Sequence, residues 1–437
     1  MKLIKTLAIA AVTLAAASLA SADIYIVGSN GDRSATQKGI LNKLAANGSW
    51  FFRGDKGSTD NANPTTNKNA LNSNFGVWTG TFNSQSVKIK VSFIGAAGAV
   101  YALAGNNQVR FVANNGTGSG TLLSPYDPAA VLNTDYILAN ASFGFSTNFQ
   151  ETTPYNGGSY DTLVTETVGV SPIVFVASPG FPGDNLSTQL AQNLYSGGSL
   201  PASLFTGNAA DLNKIVYAIG RNTDAGQRYA SYSEFGLGTA AAVKVWKPAL
   251  SGQITDPSTS IKYGGTVTSH QLWPIETVSG VDSAVRGNGG YDSGGNLAPQ
   301  LTVTGFDANP RKGRDTGSPT PNAEPYPGAT AAYYIGYVTS GDYNTRILPF
   351  SPSSVLLKYN GVAYSADAVR NGYYTAWVYN RILARSDNVG LEDATTSLFH
   401  DQLRDEILNT TATENGGILL GTLNVERFAD GGLVTPK

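Results

Sequence analysis

The chain contains no cysteine, only two histidines (His270 and His400) and no methionine beyond Met1. The missing cysteines exclude disulfides, thiol nucleophiles, thiolate metal sites and lipid attachment through an N-terminal cysteine. Two histidines cannot build a His-rich metal centre, although a mixed site with carboxylates stays open. Charge is also scarce, at 14% of 437 residues, against ~25% in an average globular chain. With 29 basic and 31 acidic side chains the net charge is −2, which implies neither nucleic acid nor an anionic membrane surface as partner. No G-x-S-x-G element occurs, and no Lys-Ser/Thr pair follows a glycine-rich turn. A serine hydrolase and a P-loop nucleotide hydrolase are therefore unsupported. His270 in "TSHQLWPIE" has no serine or carboxylate motif beside it. His400 shares helical spacing with Asp401, Arg404 and Asp405 and reads as part of a solvated helix face. Catalytic and metal-ligating residues are accordingly expected to be none, and no cofactor is implied.

Hydrophobic residues make up 41% and glycine contributes 50 residues. That combination suits turn-rich, strand-containing domains, two or three of them by length. The first 22 residues read as a secretory leader: Lys2 and Lys5, an apolar run from Leu7 to Leu19, then Ala20-Ser21-Ala22 before Asp23. The apolar run is too short and alanine-rich for a membrane span. The mature chain is expected to be periplasmic or secreted, with a charge near −4 once the two lysines leave.

Four segments then repeat one pattern of apolar strand, glycine turn and helix. They are "IYIVGSNGDR" with a helix from Ser34, its expected cap, "SFIGAAGAV" with a helix from about Ala97, "SPIVFVASPG" with a helix capped near Ser187 or Thr188, and "VYAIGRNTDAGQR". The alternation predicts α/β architecture with mainly parallel strands. Further on, "AAYYIGYVTSG" and "SVLLKYNGVAYS" read as strands, and "GYYTAWVYNRILARS" and "TTSLFHDQLRDEILNTT" as helices. Phe306 to Ala329 reads as a long loop whose "NPRKGRD" run is solvated.

The turns carry the only concentrated chemistry. A helix N-terminus offers unpaired N–H groups and a partial positive charge. Glycine lets a ligand approach the backbone, so a strand–glycine–helix junction is a natural oxyanion seat. Arg221 and Arg228 bracket one such turn, "GRNTDAGQR"; Arg221 could equally serve a structural ion pair with a neighbouring carboxylate. Ser29, Asn30 and Arg33 belong to a second turn, Ala97 and Gly98 to a third, and Ser293 lies in "GGYDSGG".

In order along the chain, "VGSNGDR", "FIGAAGAV", "SPIVFVASPG", "LSTQLAQNLYSGG", "GRNTDAGQR", "GGYDSGG", "IGYVTSGDY" and "NGYYTAWVYNRIL" resemble the type II solute-binding proteins. Within them the likeness is to the phosphate-binding component of phosphate ABC transporters. The resemblance implies a two-lobed periplasmic-binding-protein-like (type II) α/β fold with a hinge and an interlobe cleft. Lobe one would be 23–172 plus 340–437, and lobe two 173–339. It implies capture of a small oxyanion, phosphate first, for an ABC transporter permease, with no enzyme activity. The implied ligand-binding residues are Ser29, Asn30, Arg33, Ala97, Gly98, Arg221, Ala225, Gly226, Gln227, Arg228 and Ser293. The family's turn runs from an arginine to Ser-Gly-Thr. Here Arg221 and Gly226 match, while Ala225 and Gln227 stand where the hydroxyls would be, and Ala96 and Ala97 replace hydroxyl-bearing residues at the earlier turn. Each charge-assisted bond lost removes roughly 1.5–3 kcal/mol. Three alternatives follow: a different small ligand, phosphate held by other donors, or an exported structural or interaction protein that keeps the fold and binds no oxyanion.

Overall fold

The computed structural model describes residues 22–44, 50–53, 59–60, 71–113, 122–127, 129–239, 243–273, 289–306 and 329–437. The leader lies outside them except for Ala22, as does most of the expected loop 306–329. Among the described residues no helix is long and apolar enough to cross a membrane.

All four strand–turn–helix units form. β1 (Ala22–Val27) leads to α1 (Arg33–Lys43). After β2 (Phe75–Phe82), β3 (Gln85–Ser92) leads to α2 (Ala96–Ala104). β4 (Phe143–Ser146) precedes the long β5 (Leu163–Ala177), which feeds α3 (Thr188–Gly197). β6 (Lys214–Ala218) leads to α4 (Gly226–Glu234). β7 (Ala331–Thr339), β8 (Val355–Tyr359), β9 (Trp377–Arg385) and α5 (Ala394–Asn409) complete the frame. Helix ends follow local chemistry. Ser187 Oγ accepts the Leu190 N–H at 3.2 Å to cap α3, and Gly198 at φ 87° ends it. Asp393 caps α5 through the Thr396 N–H at 2.9 Å. At α1 the expected Ser34 cap is wrong: the helix begins at Arg33, and Asp32 holds the cap position without a side-chain bond.

One sheet of 13 strands runs through the molecule. Its main path is 199–201, β6, β7, β5, β9, β4, β1, β3, β2, 50–53 and 59–60. The expectation of mainly parallel strands fails at the centre. β1 pairs in parallel with β3 and β4, and β6 with β7, but β5 is antiparallel to β7, β8 and β9. The reason is visible in β9, which the sequence pattern suggested was a helix. All nine of its residues are buried, so no alternation of polar and apolar residues marks its period.

Two pairs of cores divide the fold into two lobes. On one side Ile24 and Ile26 of β1 pack with Ile40 of α1 and Phe399, Leu403 and Ile407 of α5. Val27 packs with α2 on the opposite face of the sheet. On the other side Phe175, Val216 and Tyr337 pack with α3 and α4, and Val176, Tyr217 and Tyr334 with Leu297 and Leu301. β5 crosses between them, pairing through residues 163–172 with β9 and through 173–177 with β7. β8, which lies in the 340–437 segment expected in lobe one, pairs with the end of β5 and with 185–186. His400 is buried rather than solvated, edge-on to Phe143 with ring centroids 5.1 Å apart.

Lys90 of β3 is 2% exposed, its Nζ donating to Val112 O at 2.8 Å and Ala113 O at 3.3 Å. Burial pushes the ammonium down to about 8, Lys88 adds to this and Asp23 opposes it. A base with a depressed folded pKa costs stability below that pKa and recovers it as pH rises toward the unfolded value of ~10.4. Between pH 8 and 10 the stability of the native chain relative to Lys90→Met will therefore rise by about 2–3 kcal/mol. Urea unfolding of both at the two pH values measures it, and a pH-independent difference would contradict the assignment.

Candidate functional site

Three helix N-termini converge where the lobes meet: α1 behind the 28–33 turn, α2 behind Gly95, and α4 behind the 220–225 turn. The 220–225 turn is held by Arg221, 1% exposed. Its backbone N–H donates to Tyr337 Oη at 3.1 Å, Nε to Tyr291 O at 3.0 Å and an Nη to Asp292 O at 3.0 Å. The other Nη donates to Gln227 Oε1. Burial pushes the guanidinium pKa down, and Asp292 and Asp342 counter this. Arg221 is thus a charged group inside the protein, facing acceptors that the protein itself supplies.

The opposite wall is equally engaged. Ala97 N–H, at the open end of α2, donates to Asp224 O across the seam at 3.2 Å. Gly95, at φ 102°, has Asp224 O so close that a Cβ there would lie 2.4 Å from it. A Cβ on Gly226 would lie 1.9 Å from Thr147 Oγ1 and 2.8 Å from the Ala96 methyl. Asn148 Nδ2 donates to Gly226 O at 3.3 Å. The Ala97 N–H is therefore spent on a carbonyl of the facing turn.

Each expected site residue has a place. Ser29 Oγ accepts the Gly31 N–H at 3.0 Å and lies 3.3 Å from Thr147 Oγ1, at the seam. A Cβ on Gly31 would come 3.2 Å from Gln227 Nε2, so the Gln227 side chain spans from Arg221 toward the first turn. Ala97, Ala225, Gly226 and Gln227 meet there with Gly98 in the first turn of α2. Asn30 and Arg33 instead direct donors to Asn74 Oδ1. Arg228 donates to Arg221 O at 3.0 Å and Gly289 O at 2.9 Å and lies over the Tyr232 ring, bracing the turn from behind. Ser293 caps the short helix Gly294–Leu297 by accepting the Asn296 N–H at 3.1 Å.

Sequence reasoning missed Tyr337, Thr147, Asn148 and Asp430. Asp430 Oδ2 accepts from Asn148 Nδ2 at 3.0 Å and from Phe149 N–H at 3.1 Å. Burial raises the Asp430 carboxyl pKa, while Asn148 and then Arg381 work to lower it. Only the "ADGG" turn of the tail hinted at a special backbone there. Among the described residues no group of three or more His, Asp or Glu could hold a metal.

No protein-family model matches the chain, and no curated protein matches it. Solved structures similar to it include an ABC-type phosphate transport receptor from Vibrio cholerae, at 14% identity, covering 91% of this chain and 100% of that one, with a TM-score of 0.43. PstS from Borrelia burgdorferi is similar at 11% identity, covering 91% and 98%, with a TM-score of 0.37. A phosphate binding protein from Stenotrophomonas maltophilia is similar at 10% identity, covering 91% and 87%, with a TM-score of 0.35. The chain is a two-lobed α/β protein built on a mixed 13-stranded sheet among the described residues.

Proposed function

We propose that this chain is an exported, non-catalytic protein that keeps a two-lobed binding architecture while its own groups take the place of the oxyanion. Its role on this reading is structural or interactive rather than the carriage of phosphate. The observation that carries it is the seam itself: Ala97 N–H is spent on Asp224 O, and the buried Arg221 on Gln227 Oε1 and two carbonyls. The alanines that stand in place of hydroxyl donors, together with Gly95 and Gly226, are small enough to let the lobes touch.

A second reading is phosphate capture for an ABC transporter. It is favoured by the meeting of three helix N-termini at the seam, one of them tied to the buried Arg221 through Gln227, and it requires the seam to open. Thermal unfolding with phosphate, sulfate or molybdate separates the two. A ligand at 100 times its Kd adds about 2.7 kcal/mol of stability. On the first reading the native chain shows no shift with any of the three. The double substitution Ala225→Ser with Gln227→Thr, which frees Arg221 and restores two hydroxyls, gains a response to phosphate. A shift of the native chain by phosphate would establish the second reading instead.

A further inference from the structure

After α5 the chain returns to the junction of the lobes, where Ile418 exchanges two backbone hydrogen bonds with Val170 of β5, at 3.0 and 2.9 Å. Residues 427–432 then lie against both lobes. On the lobe-two side Arg427 pairs with Glu234, the last residue of α4, at 3.2 Å. The same guanidinium donates to Trp377 O at 3.1 Å and Thr375 O at 2.7 Å and lies 4.3 Å from the Trp377 ring centroid. Arg427 is 4% exposed, so these bonds are shielded from water. Gly431, at φ 67°, sits so tightly on Ser233 that a Cβ would lie 2.4 Å from its carbonyl. On the lobe-one side Asp430 takes the amide of Asn148, which follows β4, and it also takes the N–H of Phe149, whose ring packs on the lobe-two core. Asn148 gives its remaining bond to Gly226 O, at the seam. A few residues of tail thus tie the C-terminal end of α4 to the end of β4, and one link reaches the contact between the lobes.

We propose that residues 427–432 are an intramolecular clasp that governs whether the seam opens, so that displacing this C-terminal segment is what exposes the three helix N-termini. The inference rests on the seam geometry that underlies the proposed function, and it holds whether the exposed surface then takes an ion or a protein. Contacts on one lobe alone would stabilise that lobe. The tail instead makes directional bonds to each lobe from residues three apart, so the lobes cannot separate without breaking one set.

The Ala97 amide reports directly on the seam because its acceptor, Asp224 O, is on the other lobe. Hydrogen exchange is measured on the native chain, on a chain ending at Glu426, on Asp430→Ala and on Asp430→Asn. The first two variants are expected to speed exchange at Ala97 about tenfold or more while Phe175 and Val176 of β5 keep their protection. Asp430→Asn retains an acceptor oxygen and is expected to exchange like the native chain. Unchanged exchange at Ala97 in the folded truncated chain would overturn the clasp. So would equal acceleration at Ala97 and in β5, which is general destabilisation. A native chain that answers phosphate in thermal unfolding would end the proposed function and leave this result standing.

Discussion

Replacing Gly226 with leucine will force the two lobes apart. Gly226 opens α4 with an ordinary helical backbone, so its importance is steric. A Cβ there meets Thr147 Oγ1 at 1.9 Å, Asn148 Oδ1 at 2.7 Å and Ala96 Cβ at 2.8 Å. Thr147 and Asn148 belong to lobe one, and Ala96 begins α2. None of the three is a flexible chain end that can swing aside, because Asn148 is held by Asp430 and by Gly226 O itself. Overpacking a close contact costs roughly 1–3 kcal/mol, and more when backbone must move. The cheapest relief is to separate the lobes, which breaks the Ala97 to Asp224 bond but leaves both cores intact. The variant is expected to show a larger radius of gyration by solution scattering and rapid exchange at Ala97, with β5 still protected. Even Gly226→Ala meets the first of these collisions. If that variant keeps native stability and native exchange at Ala97, the close contact does not exist in solution.

Removing the Arg221 guanidinium is expected to cost about 3–5 kcal/mol, the range for leaving buried polar partners uncompensated. In Arg221→Met, Gln227 Oε1 and Asp292 O lose their donor inside the protein. Tyr291 O keeps the Asn222 N–H at 3.0 Å, so the loss there is partial. Arg221→Lys will recover little, because one ammonium cannot reach acceptors arranged for a planar fork. Urea unfolding gives the number, and a cost below about 1 kcal/mol would mean the arginine is not the keystone of the turn. The loss is expected with no ion present. An arginine kept only for an exogenous anion would instead be relieved by its removal, since burying it unpaired is costly.

Much of this was legible in the sequence. Each strand–turn–helix unit announced itself by an apolar run stopping at glycine, and the turns around Ser29, Gly95 and Arg221 do meet. The chemistry of their meeting was not legible. That Gln227 reaches back to Arg221 depends on the start of α4 and on a side-chain rotamer, neither of which leaves a pattern in the chain. Arg228 looked equivalent to Arg221 by spacing, yet the turn sends one guanidinium inward and the other to Gly289 O. β9 was misread because burial on both faces removes the period by which a strand is recognised. The tail carries no signal for a different reason. "VERFADGG" has no regular period at all, and its role arises only from where β9 and α5 deposit it.

The 13-stranded sheet also dictates an order of assembly. β5 lies at the middle of the sheet, and its main neighbour β9 is synthesised roughly two hundred residues later, a separation that delays pairing. The core of lobe one waits for Phe399, Leu403 and Ile407, and that of lobe two for Leu357, Tyr374 and Trp377. Neither lobe can therefore mature as a free-standing unit during synthesis. Both complete together in the last fifth of the chain, and until β9 emerges residues 163–172 of β5 lack their partner strand. A chain interrupted before β9 is expected to aggregate rather than to yield a soluble half, because such an edge is a template for pairing between molecules.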